Sequence, residues 1–168
     1  MYVRSFIILL LLMTSVHAYQ LEDKLKVAII GKIIKFVQWN KPISKDFSIT
    51  VLHSTNHFFK TLLEGRSVYG KPIKVIYINT INDLSDTDVL YISQSSSQEL
   101  YSIFSAIKNK NILTISDIRG FAQKGGMIQL YTKDQNIRLR INPSSVKTEN
   151  LKIKSSLLRI STLVKESK

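Results

Sequence analysis

The spacing of apolar residues predicts a largely buried helix over residues 24–39. Its apolar positions recur at intervals of three and four, the period of a helix with one buried face. The main buried stripe consists of Leu25, Ile29, Ile33 and Phe36. Lysines occupy the narrower opposite stripe, and Trp39 projects with that polar stripe. Pro42 then stops the helix.

Four short runs of β-branched and apolar residues follow, and each predicts a strand. Between them, residues with helical spacing predict two further helices. The predicted strands cover residues 47–53, 73–79, 88–93 and 111–117, and the predicted helices cover residues 56–64 and 97–108. Strands that are apolar along most of their length and alternate with helices are typical of a parallel sheet covered on both faces.

The pattern changes after the fourth strand, where alternating residues predict a hairpin of residues 127–132 and 137–142. Pro143 can open a short helix that ends at Asn150. A last amphipathic helix is predicted over residues 152–166. Its buried stripe is Ile153, Leu157, Ile160 and Val164, and Leu158 lies on the opposite face.

Together these elements predict one α/β domain, with a mostly parallel sheet, helices on both faces, and a C-terminal hairpin and helix. The first 18 residues are expected to lie outside it, because Arg4, an apolar run over residues 6–13, and Val16 and Ala18 are typical of a cleaved signal peptide. An uncleaved membrane anchor is the alternative, although the run is shorter than the roughly 20 residues of a spanning helix. The mature domain then covers residues 19–168.

Composition narrows the classes of function. The chain of 168 residues has no cysteine, which excludes a disulfide framework, thiol catalysis and a switch based on its own thiols. Its formal net charge is +12, and 12 basic residues against 4 acidic ones fall in residues 110–168. A basic half favours an acidic protein surface or anionic lipid as partner, while export argues against nucleic acid.

Glycines are concentrated in one loop, because three of the six in the chain lie between Gly120 and Gly126. The spacing from Gly120 to Gly125 matches the start of a phosphate-binding P-loop. That motif continues with Lys and then Ser or Thr at the head of a helix, whereas Gly126 and Met127 stand here and a strand follows. Gly125 and Gly126 are therefore expected to supply backbone freedom for a turn.

Candidates for catalysis or metal binding are few. His53 and His57 are the only histidines after the predicted signal peptide, and no third metal ligand has a recognisable spacing from them. The serines of residues 93–97 lack a nucleophile elbow, and Ser96 or Ser97 suits a helix cap better. Asp117 at a strand end suits a general base or an acceptor for backbone donors of the next turn. We expect no enzymatic activity, metal or cofactor.

Binding surfaces remain, and five residues are candidates for contacting a partner. Trp39, Phe121 and Leu158 are large apolar residues that the pattern leaves exposed or in loops. Arg138 and Arg140 form a basic pair on one face of the second hairpin arm. The alternative is that the two aromatic residues fold back onto the core and that the arginines form a solvated face.

Three stretches, in order, resemble the YfiR/HmsC-like family of periplasmic proteins. They are "LKVAIIGKIIKFVQW", "LTISDIRGFAQKGGMIQLY" running into "IRLRIN", and "LKIKSSLLRIS". The family pattern is matched by Asp117, Gly120, Phe121, Ala122, Gly125, Gly126, Met127, Ile128, Arg138, Ile141 and Asn142. We take Asp117, the three glycines and Asn142 as its structural motif.

The resemblance implies a small exported α/β regulator that works in the periplasm and is not an enzyme. Proteins of this kind bind the periplasmic part of an inner-membrane diguanylate cyclase and hold it inactive, which lowers cyclic di-GMP and biofilm formation. An outer-membrane lipoprotein sequesters them, and a homodimer is expected. A periplasmic small-molecule sensor, with its pocket at strand ends of the sheet, is the alternative.

The sequence departs from the family pattern at two places. Thr87 and Asp88 stand where relatives commonly have a Cys-His pair, so redox sensitivity through that pair is excluded. Leu139 and Arg140 stand where an aromatic and an acidic residue are common. The second change reverses the charge of a surface on which a partner could bind.

Overall fold

The computed structural model describes residues 20–40, 42 and 45–164. The predicted signal segment, residues 1–18, falls outside these ranges. Within them, no helix has the length and apolar character needed to cross a membrane.

The first helix is shorter than predicted. Residues 20–33 are helical (α1), a 3-10 turn covers Ile34–Phe36, and Val37–Trp39 is a strand (β1). β1 pairs antiparallel with Leu151–Ile153 (β9), with Val37 opposite Ile153. The sequence prediction of a helix to residue 39 is therefore wrong. The error arises because a three-residue strand adds too few positions to disturb an apparent helical period.

The buried face of α1 also differs from the prediction. Its buried residues are Val27, Ile30 and Ile33, whereas Leu25 is 52% exposed. The buried face is thus rotated around the helix axis relative to the predicted stripe, and it brings Lys26 to the edge of the core.

Eight strands form the main sheet. They are Phe47–Leu52 (β2), Ser67–Val68 (β3), Lys71–Ile78 (β4), Val89–Ile92 (β5), Leu113–Ser116 (β6), Ile128–Lys133 (β7), Asn136–Ile141 (β8) and Thr162–Leu163 (β10). Their order across the sheet is β10-β8-β7-β6-β5-β2-β4-β3. Five neighbouring strands of the sheet, β4, β2, β5, β6 and β7, are parallel, as predicted. β7 and β8 form the predicted antiparallel hairpin.

Helices cover both faces of this sheet, which confirms the predicted fold class. They are α1, Phe58–Leu63 (α2), Leu100–Ile107 (α3), Pro143–Thr148 (α4) and Ser155–Arg159 (α5). One apolar cluster joins α1 and α2 to Ile49 of β2, and a second joins α3 to Leu52 of the same strand. Odd and even positions of β2 therefore face different cores, as the alternation of a strand requires.

The C-terminal helix predicted over residues 152–166 is wrong. The segment instead forms β9, the five-residue α5 and the two-residue β10. Leu157 is buried as predicted, but Ile160 is 73% exposed, and Leu158 is half-buried against the main cluster. Pairing of β9 with β1 and of β10 with β8 outweighs the local helical period, since tertiary contacts regularly override propensity.

Candidate functional site

A cleft opens at the carboxyl ends of β2, β5 and β6, where α1 crosses the edge of the sheet. Ligands of open α/β sheets commonly bind at this edge. The cleft has a volume of about 370 Å³. Its walls come from α1, from the loops that follow the three strands, and from the start of α2.

An ammonium and three carboxylates lie at the mouth of the cleft. Lys26 Nζ lies 2.8 Å from Asp117 Oδ2, 3.0 Å from Glu22 Oε1 and 3.9 Å from Asp23 Oδ1. The Tyr91 hydroxyl donates a 3.2 Å hydrogen bond to the second oxygen of Asp117. The side chains of Lys26 and Asp117 are only 12% and 14% exposed, so this ion pair is more shielded from solvent than a surface pair.

The cluster shifts the pKa values of its members in different directions. Burial favours neutral Lys26, but hydrogen bonds and charge from Asp117 and Glu22 outweigh it and raise the pKa of the ammonium. Hydrogen bonds from Lys26 and Thr132 lower the pKa of Glu22, while burial raises the pKa of Asp23. Lys26 therefore stays charged at neutral pH and clamps α1 onto the end of β6.

Asp117 was expected to act as a general base or to accept from the backbone of the next turn, and its contacts in the structure are different. Its carboxylate accepts from the ammonium of Lys26 and the hydroxyl of Tyr91. The backbone amide of Ile118, in the following turn, donates instead to the Ser116 hydroxyl at 3.0 Å. Asp117 is thus an anchor for α1.

Lys26 was not among the predicted functional residues, although its position in the sequence indicates a buried charge. Lys26 lies four residues before Ile30 and seven before Ile33, so it shares a helical face with buried residues. A single lysine within a buried face requires a carboxylate partner.

Polar side chains on the opposite wall bind one another. His53 has a backbone φ of 54°, and its carbonyl accepts from the hydroxyls of Ser93 and Ser95 at 2.7 and 2.9 Å. Its ring Nδ1 lies 2.7 Å from Ser96 Oγ. The expected capping role of Ser96 is therefore wrong, because its hydroxyl meets His53 across the loop. Among the described residues, no three His, Cys, Asp or Glu side chains are grouped to hold a metal.

Apolar side chains form the floor of the cleft. The rings of Phe59 and Tyr91 lie 4.7 Å apart between centroids, and Val27, Ile30 and Phe58 complete this surface. An apolar floor with a few polar groups at the rim is the usual composition of a small-molecule pocket.

The glycine loop connects β6 to β7, so it lacks the helix N-terminus that follows the phosphate-binding loop of a P-loop protein. Gly120 and Gly125 have φ angles of +77° and +105°, which residues other than glycine rarely adopt. Gly126 has an ordinary φ, but a Cβ there would overlap the ring of Phe121. Turn geometry and packing thus account for these glycines.

Phe121 is fully buried, which corrects the expectation that it is accessible to a partner. Its ring packs over Gly126 and lies 5.7 Å from the ring of Phe104 on α3. Asn142 helps to hold the same loop, since its side-chain amide donates to the Ala122 carbonyl at 2.9 Å. Its oxygen accepts from the Ser145 amide at 3.1 Å and caps α4.

Trp39 is half-buried rather than projecting into solvent. Its ring lies edge-on to Phe47 and Tyr69, at centroid distances of 5.2 and 6.0 Å. Its indole N–H donates to the Asp88 carbonyl at 3.3 Å. Trp39 therefore folds back onto the core, which was the alternative to contact with a partner. Leu158 also packs against the core.

Thr87 and Asp88, at the positions of the Cys-His pair of relatives, tie β5 to β2. The Thr87 hydroxyl donates to the carbonyls of Ser48 and Val89 and accepts from Thr50 Oγ1 at 3.0 Å. Asp88 Oδ2 accepts from the backbone amide of Ser48 at 2.9 Å. Both residues are buried, so these hydrogen bonds are shielded from solvent.

The two candidate arginines differ in environment. Arg138 is exposed, whereas Arg140 is half-buried, with its guanidinium 4.4 Å from the centroid of the Tyr131 ring. Arg140 also donates to Gln129 Oε1 at 3.3 Å. Trp39 contacts Phe47 and Tyr69, Phe121 contacts Phe104, and Arg140 contacts Tyr131, so these three candidates share no aromatic neighbour.

Comparison with known proteins adds a fold neighbour and a family. No curated protein matches the sequence. The chain is similar to a solved structure of the ABC domain in complex with L-Trp from Streptococcus pneumonia, with a TM-score of 0.56 and 11% sequence identity. That match covers 80% of this chain but only 59% of the other, and at this identity it shows the fold alone.

The family comparison covers most of the chain. The sequence matches the YfiR/HmsC-like family over residues 23–162, which includes β1 to β9, the first residue of β10 and all but the first three residues of α1. The motif residues of the glycine loop and the hairpin fall inside this range. The chain belongs to the YfiR/HmsC-like family.

Proposed function

We propose that this chain is an exported periplasmic regulator. It binds the periplasmic region of an inner-membrane diguanylate cyclase and holds the enzyme inactive, so that cyclic di-GMP and biofilm formation stay low. The observation that carries this proposal is membership of the YfiR/HmsC-like family over residues 23–162. Inhibition requires that the protein bind the inactive state of the cyclase more tightly than the active state.

Charge supports a protein partner with an acidic surface. Residues 110–168 carry 12 basic and 4 acidic side chains, and Arg119, Arg138 and Arg159 of this region are exposed. Opposite charges across an interface raise the rate of encounter. An outer-membrane lipoprotein that sequesters the regulator, and a homodimer as its working form, complete the proposal.

Deletion of the gene tests this function. Cellular cyclic di-GMP and surface attachment should rise in the deletion strain, because the cyclase is released from inhibition. A copy of the gene that includes residues 1–18 should restore both, whereas a copy without that segment should not, since its product stays in the cytoplasm. An unchanged cyclic di-GMP level in every growth condition would contradict the proposal.

The cleft favours a second candidate function, a periplasmic sensor of a small molecule. Its apolar floor and its polar rim of Asp117, Lys26 and His53 suit a compact ligand with one charged end. L-Trp is the first probe, because the neighbouring fold was solved with it and because the rings of Phe58, Phe59 and Tyr91 offer an aromatic surface.

Titration calorimetry with L-Trp should give a saturable signal if the cleft is a sensor site. Phe58→Ala, which removes part of the floor, should then weaken binding by about tenfold or more, since roughly 1.4 kcal/mol of lost contact suffices. Tyr101→Ala is the control, because Tyr101 lies on α3 across the sheet and is 87% exposed. Equal weakening by both changes, or no heat with wild type, would reject L-Trp as the ligand of this cleft.

A further inference from the structure

A second basin lies beside the cleft, on the far side of the Lys26–Asp117 ion pair. β7 extends past the end of β6, and the gap beyond that end has a volume of about 440 Å³. Arg119, from the loop after β6, and Arg140, from β8, both line it. The proposed function uses Arg119 only as one of several exposed basic residues, and it gives the side chain of Arg140 no role.

Arg140 is held in a fixed orientation within this basin. Its guanidinium lies 4.4 Å from the centroid of the Tyr131 ring, and one of its nitrogens donates to Gln129 Oε1. Gln129 lies directly opposite Arg140 in the hairpin register and is only 2% exposed, so its amide is itself held by packing. An arginine that is already ordered loses little side-chain entropy when it binds a ligand.

Neither arginine forms an ion pair within the part of the chain that the structure describes. The three ion pairs of the neighbouring cluster all involve Lys26. Glu22 and Asp117, the two carboxylates lining the basin, are bound by Lys26, and each also accepts from a hydroxyl, of Thr132 and Tyr91 respectively. The residues that line the basin carry three positive and two negative charges, a net of +1, and neither guanidinium is in an ion pair with either carboxylate.

We propose that this basin binds the carboxylate or phosphate group of a small anion. Arg140 is the main contact, because the planar fork of a guanidinium matches these groups through two parallel hydrogen bonds. Arg119 supplies the second charge. The concave shape favours a compact molecule over a flat protein surface. The basin shares Lys26, Gln94 and Asp117 with the neighbouring cleft, but its two arginines line the basin alone.

The test is titration of the full mature chain with inorganic phosphate and, separately, with succinate, at constant ionic strength. Binding is followed by the amide NMR shifts of Gln129 and Tyr131 and by the thermal unfolding midpoint. A saturable response is expected with at least one of the two anions. Arg140→Gln should raise its Kd at least tenfold, and Arg119→Gln should raise it several-fold.

Arg138→Gln is the matched control, because Arg138 lies two residues away on β8 and does not line the basin. Its Kd should equal that of wild type. A response to phosphate alone or to succinate alone supports the site and identifies the group it prefers. Equal loss of binding in the Arg138 and Arg140 variants would overturn the proposal, since it would indicate unspecific attraction to a basic surface.

The proposal would also be overturned if the wild type responded to neither phosphate nor succinate. Tighter binding of a glutamate-rich peptide than of either anion would overturn it as well. Arg140→Gln removes a stacked side chain and can reduce stability, so circular dichroism must first show a folded variant. If the Arg140→Gln protein is not folded, the Kd of the Arg119→Gln protein tests the proposal instead, because Arg119 is exposed and its loss leaves the core intact. A Kd equal to that of wild type would then contradict the site.

Discussion

Phe121→Ala is expected to lower the free energy of unfolding by about 3–5 kcal/mol, the usual cost of removing a buried aromatic ring. The ring is fully buried between the glycine loop and α3. Gly126 comes so close to it that no side chain fits there, so the loop is shaped around Phe121. The vacated space can close only if that loop moves, and movement would disturb the hydrogen bond from Asn142 to Ala122.

Chemical denaturation measures this loss, and Tyr101→Ala serves as control. Tyr101 is 87% exposed on the same α3, so its removal should change stability by less than about 0.5 kcal/mol. A Phe121→Ala protein of wild-type stability would contradict the buried placement. It would also restore Phe121 as a candidate for contact with a partner.

Lys26→Met is expected to cost about 2–3 kcal/mol at neutral pH. Removal of one member of a buried ion pair costs roughly 3–5 kcal/mol, and the partial exposure of this cluster reduces that figure. Methionine keeps most of the length of the side chain but leaves Glu22, Asp23 and Asp117 without the cation that they share. Lys32→Met is the control, because Lys32 is exposed on the same helix.

The cost of Lys26→Met should depend on pH in a defined direction. The pKa of Glu22 is lowered in the folded protein, so its contribution is present above its unfolded pKa of about 4.3 and disappears as the pH falls through the folded value. The pKa of Lys26 is raised, so its contribution is complete below about 10.4 and is lost as the pH rises through the folded value.

The difference between wild type and variant should therefore be largest between about pH 5 and 10 and should shrink towards acid. Urea unfolding at several pH values gives this difference directly. A constant difference from pH 3 to pH 8 would show that Lys26 stabilises α1 through packing of its carbon chain rather than through charge.

The central sheet is predictable from the sequence because its strands are signalled locally. Each of β2, β4, β5 and β6 is rich in apolar and β-branched residues, and helices separate most of them. In the hairpin, β8 alternates apolar Ile137, Leu139 and Ile141 with polar residues. Such signals lie within a few neighbouring residues, and burial on both faces makes them strong.

Apart from β3, which pairs with the neighbouring β4, the missed strands depend on distant partners. β1 and β9 have three residues each, and β10 has two, too few to establish a period. Phe121 was a candidate for contact with a partner because it lies in a glycine-rich loop, and only the space over Gly126 reveals that its ring is buried. Lys26 had a readable signal, but its meaning depends on Asp117, 91 positions further along the chain.

The pairing of β1 with β9 also bears on when the fold can be completed. Val37 and Ile153 are 116 positions apart, so the exit of α1 has no strand partner until almost the whole chain has been synthesised. Contacts of such long range slow folding, because a large loop must close before they form. Residues 37–39 therefore gain their strand partner only after residues 151–153 have been synthesised, later than the pairing of β2, β4, β5 and β6 becomes possible.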